Sequence, residues 1–187
     1  MKNIARVLFT STILLTAVSA NATLISSDSF GGTIYDVYSD SGISWEAASA
    51  FASSEGGHLV TITSGAEDTF VANLVQSAGL GEVWAGGQQI DHSSLAAEGW
   101  SLVTGEEFSY TNWSPNEPND WNGKSEHYLG INWGSGKWND ERALGNIWGF
   151  VVEYYTIDPP AKIPEPSVIA LFGLGLLGLG FARRRKA

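Results

Sequence analysis

The chain has no cysteine, so no disulfide staples it and no thiolate serves as nucleophile or soft metal ligand. Histidine is scarce, three in 187 residues, which leaves little from which to build a zinc or copper site. Positive charge is also short: ten Lys and Arg stand against twenty Asp and Glu, a formal net charge of -10. Six of those ten, Lys2, Arg6, Arg183, Arg184, Arg185 and Lys186, crowd the two ends, leaving Lys124, Lys137, Arg142 and Lys162. So acidic a chain repels a phosphate backbone and has no basic track to follow one, which excludes nucleic acid as a partner. No nucleophile elbow and no metalloprotease helix occurs either, which removes two common enzyme signatures.

What the chain has in abundance is side-chain oxygen, concentrated between Asn112 and Asp140. The stretch opens Asn112-Trp113-Ser114-Pro115-Asn116-Glu117-Pro118-Asn119-Asp120, continues through Ser125-Glu126-His127-Tyr128-Leu129, and closes Lys137-Trp138-Asn139-Asp140. Glu117, Asn119, Asp120, Glu126, Asn139 and Asp140 are hard oxygen donors, the set that suits Ca²⁺ with its roughly six to eight oxygens and flexible geometry. Pro118 stiffens the loop between two of them. The same run also reads as a turn, because Asn, Asp and Pro favour turns for backbone reasons alone.

Glu117-Pro118-Asn119, an acidic residue just before a strand, and Trp138-Asn139-Asp140 after a Gly-rich turn occur in the order of a C-type lectin-like domain, which the chain resembles over roughly Thr33 to Tyr155. Trp45-Glu46-Ala47-Ala48 is similar to that family's first helix, Gly56-Gly57-His58-Leu59-Val60 to the turn and strand after it, and Val83-Trp84-Ala85-Gly86 to its Trp-Ile-Gly strand. The resemblance implies an α+β C-type lectin-like fold, with two helices, small antiparallel sheets, a long ligand-binding loop region and, here, no disulfides. It implies a Ca²⁺ held by Glu117, Asn119, Glu126, Asn139 and Asp140. It also implies that Glu117, Asn119, Glu126 and Asn139 contact vicinal hydroxyls of a sugar. Glu-Pro-Asn resembles the mannose/glucose-type motif, and in the family the peptide bond before its Pro is often cis. Asp120 is left open: it joins the same ion, holds an auxiliary ion or caps a turn; Asp91 is a weaker auxiliary candidate. The family's cysteines correspond by position to Ala52 with Val152 and Tyr128 with Ala143. A native disulfide typically contributes about 2–5 kcal/mol in a small domain, so packing, with several Trp, is expected to stand in for it.

Both ends read as addresses. A basic start, an apolar Val7 to Val18 and Ala20-Asn21-Ala22 form a secretory signal peptide over 1–22. Pro164-Glu165-Pro166, a short apolar run and Arg183-Arg184-Arg185-Lys186 resemble the PEP-CTERM sorting signal over 161–187. The run is shorter than the roughly 17–25 residues of an ordinary span, and its basic flank fits a cytoplasmic end. The resemblance implies export by a Gram-negative bacterium, transient insertion in the inner membrane through 167–182, and processing by an exosortase. Gly173-Leu174-Gly175-Leu176-Leu177-Gly178 matches G-x-G-x-x-G inside this tail, with no βαβ unit around it, and is no dinucleotide site.

Between the ends, at 23–160, lies one domain. Strands are predicted at Thr33–Tyr38, His58–Thr63, Val83–Gly87, Tyr128–Asn132 and Trp148–Tyr155. Ser44 is expected to cap a helix from Trp45 to about Ser54, burying Trp45, Ala48, Phe51 and Ala52. Ser64-Gly65-Ala66-Glu67 is a capping box before a helix with a stripe of Phe70, Val71, Leu74, Val75 and Ala78. Gln88 to Asn119 is loop-rich, with Trp100 and Trp113 as packing anchors; so long an irregular stretch is usually functional. The expected activity is Ca²⁺-dependent binding of a glycan or exopolysaccharide at the cell surface or in the extracellular matrix. The alternative is a calcium-stabilised module for a protein, matrix or ice surface. A glycosidase pairing Glu117 with Glu126 is excluded in this scheme, since ligation keeps both ionised and leaves no general acid.

Overall fold

The computed structural model describes residues 21–92, 95–123 and 125–154. Helix α1 spans Trp45–Ser54, and the Ser44 hydroxyl accepts the Ala47 N–H at 3.2 Å. Trp45, Ala48 and Ala52 are its buried stripe, with Phe51 packed at the margin. Gly56, at φ +84°, ends it in the left-handed conformation that glycine adopts without a Cβ clash. Helix α2 spans Gly65–Ser77, with Val71, Leu74 and Val75 buried and Phe70 and Ala78 at the edge of the core. Ser64 accepts the Glu67 N–H at 3.3 Å, one arm of the expected box. The Glu67 carboxylate instead takes the Thr63 N–H at 2.9 Å and the Tyr35 hydroxyl at 2.8 Å. The cap therefore also ties the helix to the sheet.

The strands are β1 (Thr23–Phe30), β2 (Thr33–Ser39), β3 (His58–Leu59), β4 (Val83–Gln89), β5 (Trp100–Leu102), β6 (Tyr128–Trp133), β7 (Lys137–Glu141) and β8 (Gly149–Tyr154). They form one sheet of order β1-β2-β8-β4-β6-β7, with β3 on β8 and β5 on β4. All pairings are antiparallel except β4 with β8, where Val83 faces Gly149 and Trp84 faces Phe150. That parallel step fuses what the sequence suggests as small antiparallel sheets. Strand β1 has no alternating apolar pattern and is almost wholly exposed; pairing from Thr23 opposite Ser39 to Phe30 opposite Thr33 defines it. Only His58 and Leu59 of the predicted His58–Thr63 strand join a ladder, although Val60, Thr61 and Ile62 are buried. β8 begins at Gly149, not Trp148, and a Cβ on Gly149 would strike the Tyr38 carbonyl oxygen.

Packing occupies the places of the missing cysteines. Ala52 and Val152 are fully buried in the core that contains Trp84 and Phe150. Tyr128 and Ala143 are linked through Trp45: the Tyr128 ring stacks on the Trp45 ring at 4.8 Å, and the Trp45 backbone N–H donates to the Ala143 carbonyl at 3.2 Å. Burying a large apolar side chain contributes about 1.5–3 kcal/mol, so a few such residues match what one disulfide contributes.

Candidate functional site: an acidic loop against strand β7

Trp138 fixes the long loop. Its backbone N–H donates to the Asn112 carbonyl at 3.0 Å, and its carbonyl accepts the Ser114 N–H at 2.8 Å. Its fully buried indole donates to Asp68 Oδ1 at 2.7 Å. Trp100, Phe108, Tyr110 and Trp113 pack on the same core, with Phe108, Tyr110 and Trp113 against the Trp138 ring. Beyond this anchor the chain turns back: the Glu117 N–H donates to the Ser114 carbonyl at 2.9 Å, and the Glu117–Pro118 bond is cis. Asn116, Asp120 and Asn122 hold positive φ, which short polar side chains tolerate better than most.

Asp140 is the hub. It is fully buried, and its two oxygens accept the backbone N–H groups of Asn119 at 2.9 Å and Asp120 at 2.7 Å. Glu126 Oε2 accepts the Trp121 N–H at 2.6 Å, while the Glu126 N–H donates to Asp120 Oδ1 at 3.2 Å. The structure thus gathers Glu117, Asn119, Glu126 and Asp140 about one turn, with Asp120 holding the turn closed. Asn139 is buried next to Asp140 on β7, and its Nδ2 donates to Glu141 Oε1 at 3.2 Å. Asp91 is exposed. Of the other anchors named from sequence, Trp100 and Trp113 are half-buried in the loop core.

The electrostatics are those of crowded acids. Burial raises the Glu117 carboxyl to about 7, helped by a hydrogen bond with Asp140, by the Asp140 charge and by Glu126 and Glu141. Burial likewise raises Glu126 to about 7; the Trp121 N–H and Arg142 oppose it, and Asp140 and Glu141 add to it. The Arg142 guanidinium, half exposed, lies 3.8 Å from Glu126 Oε1. Glu117 Oε2 is buried with no hydrogen-bond donor. Among the described residues no three His, Cys, Asp or Glu side chains stand as a ready metal cage. The reason is visible: Asp140 and one Glu126 oxygen are turned onto backbone amides. The donor set still fits a hard cation, because all donors are oxygens, one is orphaned, and burial, with the charge of neighbouring acids, holds Glu117 and Glu126 back from ionising.

Glu82 and Glu141 belong to this neighbourhood and are missed in a sequence reading. Glu82 precedes β4 and is 4% exposed, and burial raises its carboxyl to about 8, followed by the charge of Glu141, with Asn139 opposing. An acid directly before a buried strand is the signal that points to it. His127, by contrast, stacks on His92 at 3.8 Å, and its Nδ1 lies 3.0 Å from Gln89 Oε1. A cavity of about 560 Å³ lies at the other end of β7, lined by residues including Gln76, Asn112, Asn132 and Lys137. It contains none of the oxygen donors expected from the sequence, and its polar lining includes the network that anchors the loop.

Comparison with known proteins agrees with this arrangement. Residues 41–145 match the Lectin C-type domain family, and residues 162–186 match the PEP-CTERM protein-sorting motif. The chain is 26% identical over 124 residues to C-type lectin domain family 4 member G of Mus musculus, covering 66% of this chain and 40% of that protein. It is 33% identical over 78 residues to the type-2 ice-structuring protein of Brachyopsis segaliensis, covering 42% of each. Its fold matches the C-type carbohydrate-recognition domain of cow CD23, solved in the presence of a GlcNAc2Man3 oligosaccharide, with TM-score 0.58 and 28% identity over 68% of this chain and 91% of that one. The chain spans half or less of the length of the curated relatives it matches first. Among the described residues no helix is long and apolar enough to cross a membrane; the expected insertion at 167–182 lies outside them, as does most of the expected signal peptide. By its fold, by its loop anchored on Trp138 and by its tail, the chain belongs to the C-type lectin domain family and carries the PEP-CTERM motif of secreted or cell-surface proteins of Gram-negative bacteria.

Proposed function

We propose that the domain is a Ca²⁺-dependent carbohydrate-binding module of the mannose/glucose type, acting on a glycan or exopolysaccharide rather than as an enzyme. The observation that carries this reading is the Asp140 hub, which sets Glu117, Asn119 and Glu126 around one turn with an orphaned Glu117 oxygen facing it. Glu117, Asn119, Glu126, Asn139 and Asp140 would hold the ion, and bound Ca²⁺ would offer the open coordination positions that two neighbouring hydroxyls fill. The residues supply the rest: Glu117 and Glu126 accept hydrogen bonds from the hydroxyls, and the exposed Asn119 amide donates. Asn139 has one amide hydrogen turned to Glu141, which orients its carbonyl oxygen away from that acid. In this scheme residues 1–22 direct export, 23–160 form the binding domain, and 161–187 insert transiently and are processed by an exosortase.

A second reading is a calcium-stabilised module for a protein, matrix or ice surface. Trp121, two-thirds exposed and fixed beside the turn through its N–H to Glu126, supports it, as does the similarity to an ice-structuring protein. A glycan array probed with the mature secreted protein, once with Ca²⁺ and once with chelator, separates the readings. Mannose- and glucose-terminated glycans captured only with Ca²⁺ are the expected outcome. Capture that survives chelation defeats the calcium dependence, and no captured glycan at all defeats the carbohydrate reading.

A further inference from the structure

Beside the loop site β7 carries a second group of oxygens. Side chains alternate along a strand, so Asn139 and Glu141 leave β7 on the same side, and the Asn139 Nδ2 that donates to Glu141 Oε1 sets Asn139 between the loop donors and Glu141. Register sets Gly130 of β6 across from Asn139 and Trp84 of β4 beyond it. Glu82 lies two residues before Trp84 and fills the space that Gly130 leaves: a Cβ at 130 would collide with Glu82 Oε1. The loop after β7 closes over the same place. A Cβ at Gly145 would press on Glu141 Oε2, and the Trp148 N–H donates to the Glu82 carbonyl at 2.9 Å.

Glu82 is the telling residue. It is 4% exposed, and neither of its carboxyl oxygens has a hydrogen-bond partner, although Asn139 lies near enough to temper its acidity. Most buried polar side-chain atoms in proteins are hydrogen-bonded, and a buried carboxylate without a partner is costly. Among the described residues the cation beside the cluster is Arg142, half exposed and 3.8 Å from Glu126 Oε1. Glu141 has one oxygen on Asn139 Nδ2 and the other on the Arg142 N–H at 3.3 Å. Two carboxyl groups therefore share this space with amide and backbone donors, and the Arg142 charge acts on Glu141 from its rim.

We propose that Glu82 and Glu141 form a second divalent-cation site beside the loop site, with Asn139 between the two. Two carboxylates supply hard oxygens and charge −2, and water completes the shell. Two glycines, at positions 130 and 145, make room for the two carboxylates. The proposal rests on the loop reading, in that the wild-type protein is then expected to bind two ions and not one.

The test is the number of Ca²⁺ bound per chain, read by native mass spectrometry on the mature secreted protein, with calorimetric titration as the second measure. Wild type is expected to bind two. Glu82→Gln preserves shape and removes only the charge, so the fold survives it; it and Glu141→Gln are each expected to bind one, and Asp140→Ala is expected to keep the ion that Glu82 holds. One ion in wild type overturns the second site and leaves the loop reading standing. No ion overturns both. Two ions in wild type that persist in Glu82→Gln and Glu141→Gln place the second ion elsewhere and overturn the assignment.

Discussion

Asp68→Ala is expected to be the most damaging single change outside the apolar core. Asp68 is 6% exposed in the first turn of α2 and accepts three hydrogen bonds: from the Trp138 indole at 2.7 Å, from the Tyr110 hydroxyl at 3.2 Å and from Asn112 Nδ2 at 2.5 Å. It thereby joins a helix, the long loop and the strand that carries Asp140. Hydrogen bonds to a charged acceptor contribute about 1.5–3 kcal/mol each, and a buried donor left alone costs about 1–3 kcal/mol. Trp138 is fully buried and cannot recruit water, so its loss counts in full. Tyr110 and Asn112 are half-buried and recover part of theirs from solvent. The net expectation is about 3–5 kcal/mol, a large share of the roughly 5–15 kcal/mol of an ordinary domain. Asp68→Asn keeps an acceptor for the indole and is expected to cost about 1–3 kcal/mol. Urea unfolding followed by tryptophan fluorescence measures both, the midpoint moving with little change of slope if the unfolded state is unaffected. A loss below about 1 kcal/mol for Asp68→Ala would show that the Trp138 backbone bonds and ring packing hold the loop without it.

Two further outcomes are expected. Glu82, Glu117 and Glu126 have carboxyl groups raised from 4.5 to about 8, 7 and 7. The folded, ion-free protein therefore binds more protons than the unfolded chain between those values. Its stability is greatest below about pH 4.5 with respect to these groups, falls as pH rises through 7 to 8, and levels off above. Melting with chelator at pH 5, 6.5 and 8 should show that fall, and saturating Ca²⁺ should reduce it by stabilising the ionised acids; a chelated protein that grows more stable over this range refutes the assignment. Intact-mass measurement of native secreted protein is expected to show a chain without Arg183 to Lys186, and a mass that retains them would indicate a simple anchor.

Local chemistry made much of this protein legible in its sequence. Ser44 and Ser64 mark helix starts because a hydroxyl at that position can accept an otherwise unpaired backbone N–H, and the apolar stripes of α1 and α2 follow the helical period. Trp138-Asn139-Asp140 stands out because a large aromatic directly before two oxygen donors joins an anchor to a ligand. The absence of cysteine is plain from composition, and with it the need for aromatic packing.

Other features exist only after the chain has folded. β1 has no pattern of its own and is a strand because β2 is beside it. The predicted strand at His58–Thr63 shrinks to two residues because, beyond Val60 with its bonds to Val151 and Gly86, the Thr61 and Thr63 N–H groups donate to the Glu153 and Glu67 carboxylates instead of to a strand. Glu67 is drawn from its capping box by Tyr35, 32 residues earlier in the chain. Glu82 reads in sequence as one acid before a strand; the lack of a side chain at Gly130, 48 positions on, brings it to Asn139 and Glu141. Sequence therefore determined the helices, the oxygen-donor types and the sorting motif of the tail, since each depends on neighbours a few residues apart. Tertiary structure decided which acids share one dielectric, and so which are ionised, because charge interactions act through space between residues that chain order keeps far apart.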